Sequence, residues 1–286
     1  MLELTGVASI LRGISILYWL FAVGSLMLAV WKLKGWWLKS IGALVVIAVF
    51  GFLPAKGWIE AKQREAYARE AWAYFKKLCA EKSGEKIYKT FTGVKSVLVV
   101  KPLPPATEKD LYDQFWYGDP YSDSTPWKKR ATHSAGKLVY PDAPVSMGKR
   151  GKGFQFVESY LAAAAGKEKQ LVKIYYEAGV RDYRTESIAE PVSRFGLTWE
   201  DISTPDDRKY WVAASRLRAI DLTNNSVVAE RIGYFIEAGF GSTAGQRRPW
   251  LASKGPNSTC PYSHDWSDRW FVLKVFSPAE ETQNGK

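Results

Sequence analysis

The sequence predicts an α+β protein, in which an N-terminal two-helix transmembrane hairpin precedes one soluble domain built on a mainly antiparallel sheet. Two long apolar runs, one amphipathic helical pattern and a series of short β-rich runs with turn signals support this fold class. The expected boundaries are a membrane anchor at 1–56, an extramembrane domain at 57–278 and a polar tail at 279–286.

The composition is that of a folded, basic protein. The 286 residues include 40 lysines and arginines against 29 aspartates and glutamates, a net charge of +11. Hydrophobic residues make up 47% of the chain and charged residues 24%, which excludes a disordered or low-complexity protein. The longest apolar runs lie near the N-terminus, and the remainder has the composition of a soluble domain.

The two apolar runs, Gly13–Trp31 and Trp36–Leu53, predict contact with a lipid bilayer through residues 13–53. Each is close to the roughly 20 residues that cross a hydrocarbon core. Lys39 is the one charged residue in either run, and a lysine near a helix end can extend its ammonium group to the headgroups. A cleaved signal peptide and a buried soluble hairpin are the alternatives. The first run is long for a signal peptide, and neither run shows the polar stripe of a soluble helix.

Charge and cysteine usage bear on the orientation of this hairpin. The short connection between the runs carries Lys32 and Lys34 without an acid, which favours a cytoplasmic connection and a periplasmic domain. Basic residues also follow the second run, so the charge count is nearly balanced. Cys79 and Cys260 are the two cysteines, and an even pair predicts one disulfide in an oxidising compartment, with two unrelated buried thiols as the alternative. The expected location is the bacterial inner membrane with a periplasmic domain.

An amphipathic helix is expected at Gly57–Lys82, because the pattern changes after Pro54. Apolar side chains recur every three or four residues along it, and Gly84 supplies a stop signal. The expected strands are Ile87–Tyr88, Val97–Val100, Gly153–Tyr160, Gln170–Tyr176 and Trp270–Phe276.

The clearest supersecondary pattern is a β-hairpin over Tyr210–Ile236. Two β-rich runs are joined there by Thr223–Asn225, and asparagine tolerates the positive φ that tight turns require. Thr92 and Gly93 resemble a turn between the first two strands. Tyr117–Gly153 is rich in proline and glycine and is expected to be a long loop region.

A glycine-rich segment, Gly239–Gly245, precedes Arg247, Arg248 and Trp250. The segment lacks the Gly-Lys-Ser/Thr ending of a phosphate loop. Either it is a flexible connection after a strand, or it forms an anion-binding or partner-binding loop. In the second interpretation Arg247, Arg248 and Trp250 are the binding residues.

A second set of candidate binding residues combines an aromatic ring with basic side chains: Trp127, Lys128, Lys129 and Arg130. Such a cluster suits anionic headgroups, lipopolysaccharide or an acidic protein surface. Nucleic acid is not expected as a partner, because a membrane-tethered domain is badly placed for it. A solvated basic face without a partner is the alternative.

Metal and cofactor sites are not expected. The chain has two histidines, His133 and His264, and no C-x-x-C or H-x-x-x-H spacing. A nucleophile among Cys260, Ser263, His264 and Asp265 is conceivable, but adjacency in sequence does not indicate a triad and no G-x-S-x-G motif is present. No catalytic residue is therefore assigned.

Two carboxylate pairs, Glu200–Asp201 and Asp206–Asp207, are also candidates for acid–base chemistry. The second pair follows Ser203 and Thr204, which suits a helix start with one of these hydroxyls as the N-cap. Acids in a first helical turn are favoured by the helix dipole, so capping is the expected role of that pair.

Three segments resemble uncharacterised proteins from proteobacteria: Glu230–Cys260, Cys79–Tyr88 and Asp201–Trp211. The resemblance covers most of the extramembrane domain and leaves out the hairpin. It implies a bacterial envelope setting and carries no activity.

These observations favour a membrane-anchored, non-enzymatic periplasmic protein that binds an envelope component or a foreign protein. An immunity or exclusion protein is one specific form of this hypothesis. The alternatives are an envelope hydrolase acting on peptidoglycan, lipid or protein, and an assembly factor that uses the two apolar helices as its interface.

Overall fold

The structure is a computed structural model that describes residues 2–102, 106–121, 135–139, 153–161, 170–177, 183–251, 255–262 and 267–279. The chain divides into two compact units, Met1–Glu70 and Ala71–Lys286. The fold class is α+β, with two apolar helices followed by a mixed, mainly antiparallel sheet.

Two long helices make up the N-terminal region: α1 (Leu2–Lys32) and α2 (Trp36–Lys82). Within the described residues both are long and apolar enough to cross a membrane. The expected start of the amphipathic helix at Gly57 is wrong, because α2 continues from the second apolar run through Pro54. A proline removes one backbone donor, and the remaining i→i−4 bonds of a long helix can carry the chain past it.

The carbonyl oxygen of Phe50 is the acceptor that Pro54 leaves without its helical donor, since the N–H of residue 54 would normally bond to it. In α1, the Tyr18 hydroxyl donates a hydrogen bond to this same carbonyl. The Tyr18 and Phe50 rings also meet edge to face, with centroids 5.5 Å apart. One tyrosine therefore supplies the donor that the proline removed and sets the register between the two apolar helices.

Changing Tyr18→Phe is expected to destabilise this helix pair by about 1–2 kcal/mol, because an orphaned carbonyl in apolar surroundings loses its partner. Pro54→Ala restores a backbone donor to Phe50, so the same tyrosine change should cost almost nothing in that background. Thermal unfolding of the full chain in detergent, followed by helical circular dichroism, measures this double-mutant cycle. If Tyr18→Phe lowered stability equally in the wild-type protein and in Pro54→Ala, the tyrosine would not be replacing the backbone donor that Pro54 lacks.

Exposed ion pairs support α2 beyond Pro54. Glu60 and Glu65 each lie within 4 Å of two basic side chains one helical turn away. Such i,i+3 and i,i+4 pairs contribute about 0.2–0.5 kcal/mol each to an exposed helix.

The second unit contains eleven strands among its described residues: β1 (Gly84–Ile87), β2 (Phe91–Val94), β3 (Ser96–Lys101), β4 (Phe156–Tyr160), β5 (Leu171–Tyr175), β6 (Arg184–Ser187), β7 (Phe195–Asp201), β8 (Val212–Asp221), β9 (Ser226–Ile236), β10 (Thr259–Cys260) and β11 (Phe276–Pro278). The short helices are α3 (Pro205–Lys209) and α4 (Ser267–Val275), and two 3-10 turns follow β9: η1 (Ala244–Gln246) and η2 (Pro249–Leu251).

Nine of these strands form one sheet in the order β1-β9-β8-β7-β3-β4-β5-β6, with β10 paired to β9. β3 runs parallel to β4 and to β7, and the other pairs of this sheet are antiparallel. β2 and β11 form a separate parallel pair.

Alternation along β8 places its side chains on two packed faces. Val212 and Ala214 pack with Ala71, Phe75 and Leu78 from the end of α2. On the opposite face, Leu217 and Ala219 of β8 belong to the same core cluster as the buried side chains of α4. The sheet is therefore covered by α2 near one end of β8 and by α4 on its other face.

The β-hairpin prediction is confirmed by β8 and β9, and Asn225 has a φ of +54° in their turn. The expected strand at Trp270–Phe276 is wrong, because α4 runs to Val275 and a strand begins only at Phe276. A short apolar run can match the two-residue repeat of a strand or the 3.6-residue repeat of a helix. Here the buried residues follow the helical repeat. Thr92 and Gly93 lie inside β2, so the turn expected there is also wrong.

Cys79 and Cys260 form the predicted disulfide, with their Cα atoms 5.7 Å apart. The bond joins the last turns of α2 to β10, which is paired with the long strand β9. The cross-link thus ties the helix to the sheet across 181 positions of sequence.

Candidate binding surface

The glycine-rich segment after β9 is built around the side chain of Glu237. This carboxylate is fully buried and accepts hydrogen bonds from the backbone N–H groups of Gly239, at 2.9 Å, and Gly241, at 2.7 Å. The Arg247 guanidinium forms an ion pair with it. The loop therefore has the chemistry of an anion-binding loop, and the anion it holds is a carboxylate of the same chain.

Two of these glycines lie close to other side chains. A Cβ atom at Gly241 would overlap the Trp211 indole, and one at Gly239 would overlap the Arg247 guanidinium. Gly241 also has a φ of +78°, where glycine carries no steric penalty. The first part of the segment, Gly239–Gly241, is consequently packed around Glu237, whereas residues 242–246 are exposed.

The structure places the three binding residues predicted after this segment in different surroundings. Arg247 is 30% exposed and is paired with Glu237. Arg248 is 41% exposed, and its Nε lies 2.7 Å from the Glu108 carboxylate. Trp250 is buried. The other predicted set, Trp127, Lys128, Lys129 and Arg130, lies outside the described residues.

Trp250 anchors an irregular segment that precedes it by more than a hundred positions. Its indole N–H donates to the Asp113 carbonyl at 2.7 Å, and its backbone N–H donates to the Leu111 carbonyl at 3.3 Å. Its ring also packs on Trp211, with centroids 5.1 Å apart. The buried tryptophan thus holds the backbone of the segment at 107–121 in place.

Arg208 is the second anchor of the same segment. Its guanidinium is buried, donates to the Gly118 carbonyl at 2.6 Å and pairs with Asp201 at 2.9 Å. It lies 5.0 Å from the Trp250 ring centroid, a cation–π distance. Gln114 donates to the backbone carbonyls of Arg208 and Lys209 at 2.9 Å each.

The short helix α3 that carries Arg208 is capped by Thr204. The Thr204 hydroxyl accepts from the Asp207 N–H at 3.1 Å, and the Asp207 carboxylate accepts from the Thr204 N–H at 2.7 Å. The prediction of an N-cap role at this position is confirmed. Tyr74 of α2 donates to Asp207 at 2.7 Å, and burial together with this carboxylate raises the pKa of Tyr74.

Three aromatic side chains point outward from the anchored segment. Tyr112 is 42% exposed, Phe115 is 59% exposed and Tyr117 is 92% exposed. Arg248 lies beside Tyr112, and its hydrogen bond with this tyrosine and the charge of Glu108 raise the pKa of the guanidinium. We call Tyr112, Phe115, Tyr117 and Arg248 the aromatic loop surface.

A buried polar cluster begins where the anchored segment ends. Tyr121 lies over Gly233, and its hydroxyl accepts a hydrogen bond from Arg231 at 3.0 Å. Arg231 is buried and pairs with Asp268. Burial raises the pKa of Tyr121 to about 12. The buried guanidinium of Arg231 is therefore compensated by a nearby carboxylate.

Stability is expected to fall as the pH rises from about 10 to about 12. Tyr121 ionises near its ordinary value of 10.0 in the unfolded chain but near 12 in the folded protein, so alkaline pH favours the unfolded chain. Tyr121→Phe should flatten this part of the pH profile, whereas Tyr88→Phe, at an exposed tyrosine, should leave it unchanged. Urea unfolding at a series of pH values measures both. A profile unchanged by Tyr121→Phe would contradict the assignment.

The structure describes some of the candidate metal ligands, nucleophiles and acids that the sequence offered. No group of three or more His, Cys, Asp or Glu side chains that could hold a metal ion occurs among the described residues. Cys260 is in the disulfide and is not a free thiol. Glu200 lies between Arg216 and Arg218, at 3.7 and 3.6 Å. His133, Ser263, His264 and Asp265 lie outside the described part of the chain.

The aromatic loop surface was missed at the sequence level, apart from Arg248. Four aromatic residues lie between Tyr112 and Tyr117 without helical or strand periodicity, and this density in an irregular segment was the available signal. Their exposure depends on anchors from distant parts of the chain, which no local pattern reveals.

Comparison with known protein families, curated proteins and solved structures found no match. The resemblance to proteobacterial envelope proteins therefore stays a prediction. What this surface can do follows from its own chemistry: a preformed loop that presents aromatic rings and one arginine to solvent.

Proposed function

We propose that this protein is a membrane-anchored, non-enzymatic binding protein of the bacterial envelope, with its second unit in the periplasm. The aromatic loop surface makes the contact with its partner. An immunity or exclusion protein that meets a foreign protein at the inner membrane is one specific form of this function.

The observation that carries the proposal is the combination of exposed rings with a fixed backbone. Large aromatic side chains usually avoid water, and clustered exposed ones mark interaction sites. Tyrosine and arginine are also frequent among residues that contribute most to protein interfaces. Because Trp250, Arg208 and Gln114 already hold the loop, little conformational entropy remains to be lost on binding.

The two apolar helices and the disulfide support the placement. Helices of this length and composition suit a bilayer, and structural disulfides persist in oxidising compartments such as the periplasm. A phosphatase reporter fused at Lys286 should be active, and denatured, unreduced protein should resist thiol labelling at both cysteines. An inactive reporter together with labelled cysteines would place the unit in the cytoplasm.

Site-specific photo-cross-linking tests the binding surface. A photoreactive phenylalanine analogue at Tyr117 should give an adduct in cells, because this ring protrudes from the loop. The same analogue at Tyr88, which is 64% exposed, provides the matched control. Adducts at Tyr117 but not at Tyr88 support the proposal, and the absence of an adduct at Tyr117 contradicts it.

A further inference from the structure

The charge of the aromatic loop differs in sign from that of the protein as a whole. Residues 107–118 contain three carboxylates, Glu108, Asp110 and Asp113, and one lysine, Lys109. The complete chain has a net charge of +11. The exposed rings therefore lie in an acidic stretch of a basic protein.

The carboxylates are held in place by the loop itself. Asp110 accepts from the Thr107 N–H at 2.6 Å, and Asp113 accepts from the Phe115 N–H at 2.9 Å. Both bonds fix the orientation of these carboxylates within the loop. Glu108 instead shares its charge with Arg248. The loop thus presents two fixed carboxylates, and neither forms a salt bridge with a basic side chain among the described residues.

The shape of the surface narrows the class of ligand. Small molecules are bound in cavities that bury most of their surface, whereas Tyr117 is 92% exposed and stands out from the loop. A protruding ring contributes binding energy when it fills a pocket on a folded partner. An anionic lipid surface is disfavoured, because the fixed carboxylates would repel it.

We infer that the aromatic loop surface docks into a protein partner that offers an apolar pocket bordered by basic side chains. The inference rests on the proposed function and specifies its partner. Tyr117 and Phe115 fill the pocket, while Asp110 and Asp113 attract the basic border and guide the approach. The positive charge of the chain is therefore not the feature that selects this partner.

The Tyr117 photo-cross-link, combined with charge variants of the full-length protein, tests the inference. Asp110→Asn with Asp113→Asn removes both charges and keeps an oxygen that accepts each backbone hydrogen bond. The adduct yield should fall roughly three- to tenfold, because complementary charges mainly raise the association rate. Glu186→Gln with Glu190→Gln makes the same change in net charge at two exposed positions outside the loop and should leave the yield unchanged.

Lys109→Gln changes the loop charge in the opposite direction, because it removes a positive charge and makes the loop more acidic. It should therefore raise the yield of the Tyr117 adduct. Resistance of Cys79 and Cys260 to thiol labelling reports that each variant is folded. Mass spectrometry of the adduct should identify a second protein whose cross-linked peptide lies next to lysine or arginine.

The outcomes separate this inference from the proposed function. If a protein adduct forms but its yield does not change with the loop charges, the partner's pocket is not bordered by basic side chains, although the loop is still the binding surface. An adduct with phospholipid, or with a second copy of this chain, overturns the identity of the partner. No adduct at all contradicts the proposed function itself.

Discussion

Replacing Glu237 with alanine is expected to lower the free energy of unfolding by about 3–5 kcal/mol, because two backbone N–H groups lose a charged acceptor, at about 1.5–3 kcal/mol for each such hydrogen bond. The change would leave the Gly239 and Gly241 N–H groups without their acceptor and Arg247 without its anion. Since the glycine-rich loop is organised around this carboxylate, we expect the loop to lose its packing on Trp211. Chemical denaturation of the full chain measures the loss.

Two control substitutions separate the effect of burying the Glu237 carboxylate from the effect of its charge. Glu108→Ala removes a carboxylate that also pairs with an arginine but is 54% exposed, and it should cost less than about 1 kcal/mol. Glu237→Gln keeps one acceptor oxygen and should fall between the two. If Glu237→Ala were no more damaging than Glu108→Ala, Glu237 would not be the organising anion of the loop.

The second large effect is expected from the disulfide. Replacing Cys79 and Cys260 together with alanine should lower the free energy of unfolding by about 2–5 kcal/mol, because the cross-link restricts the unfolded chain over a long loop. The bond spans 181 positions and joins α2 to the sheet through β10. Urea unfolding of the oxidised protein and of the double variant gives the difference.

Reduction of the wild-type protein supplies a test without mutation. The urea midpoint of the reduced wild-type protein should move to that of the double alanine variant. The midpoint of the alanine variant itself should not change with the reductant. A wild-type midpoint that is the same with and without reductant would show that the disulfide contributes nothing to stability.

Local sequence patterns were sufficient to predict the elements that depend only on neighbouring residues. The β8–β9 hairpin follows from two β-rich runs and an asparagine-containing turn, and the Thr204 cap follows from a hydroxyl placed three residues before an acid. α4 shows where this fails. Its short apolar run fits both periods, and packing of Phe271, Val272 and Val275 in the core selected the helix.

The glycine-rich segment shows a different limit. Its composition indicated an anion-binding loop or a flexible connection, and both the anion and the packing come from side chains that only the folded chain brings together. Glu237 lies two residues before Gly239, yet its role depends on Arg247 and Trp211 closing around the same loop.

By itself, the sequence predicted the α+β fold class, the two apolar helices, the β8–β9 hairpin and one disulfide between the two cysteines, because each prediction depends on composition, periodicity or an even count. Only the tertiary structure decided which predicted binding residues face solvent. Trp250 lies in the core and Arg247 is bound to Glu237, while Tyr117 is presented on the surface. The physical reason is that exposure depends on anchors more than a hundred positions away, which no local pattern encodes.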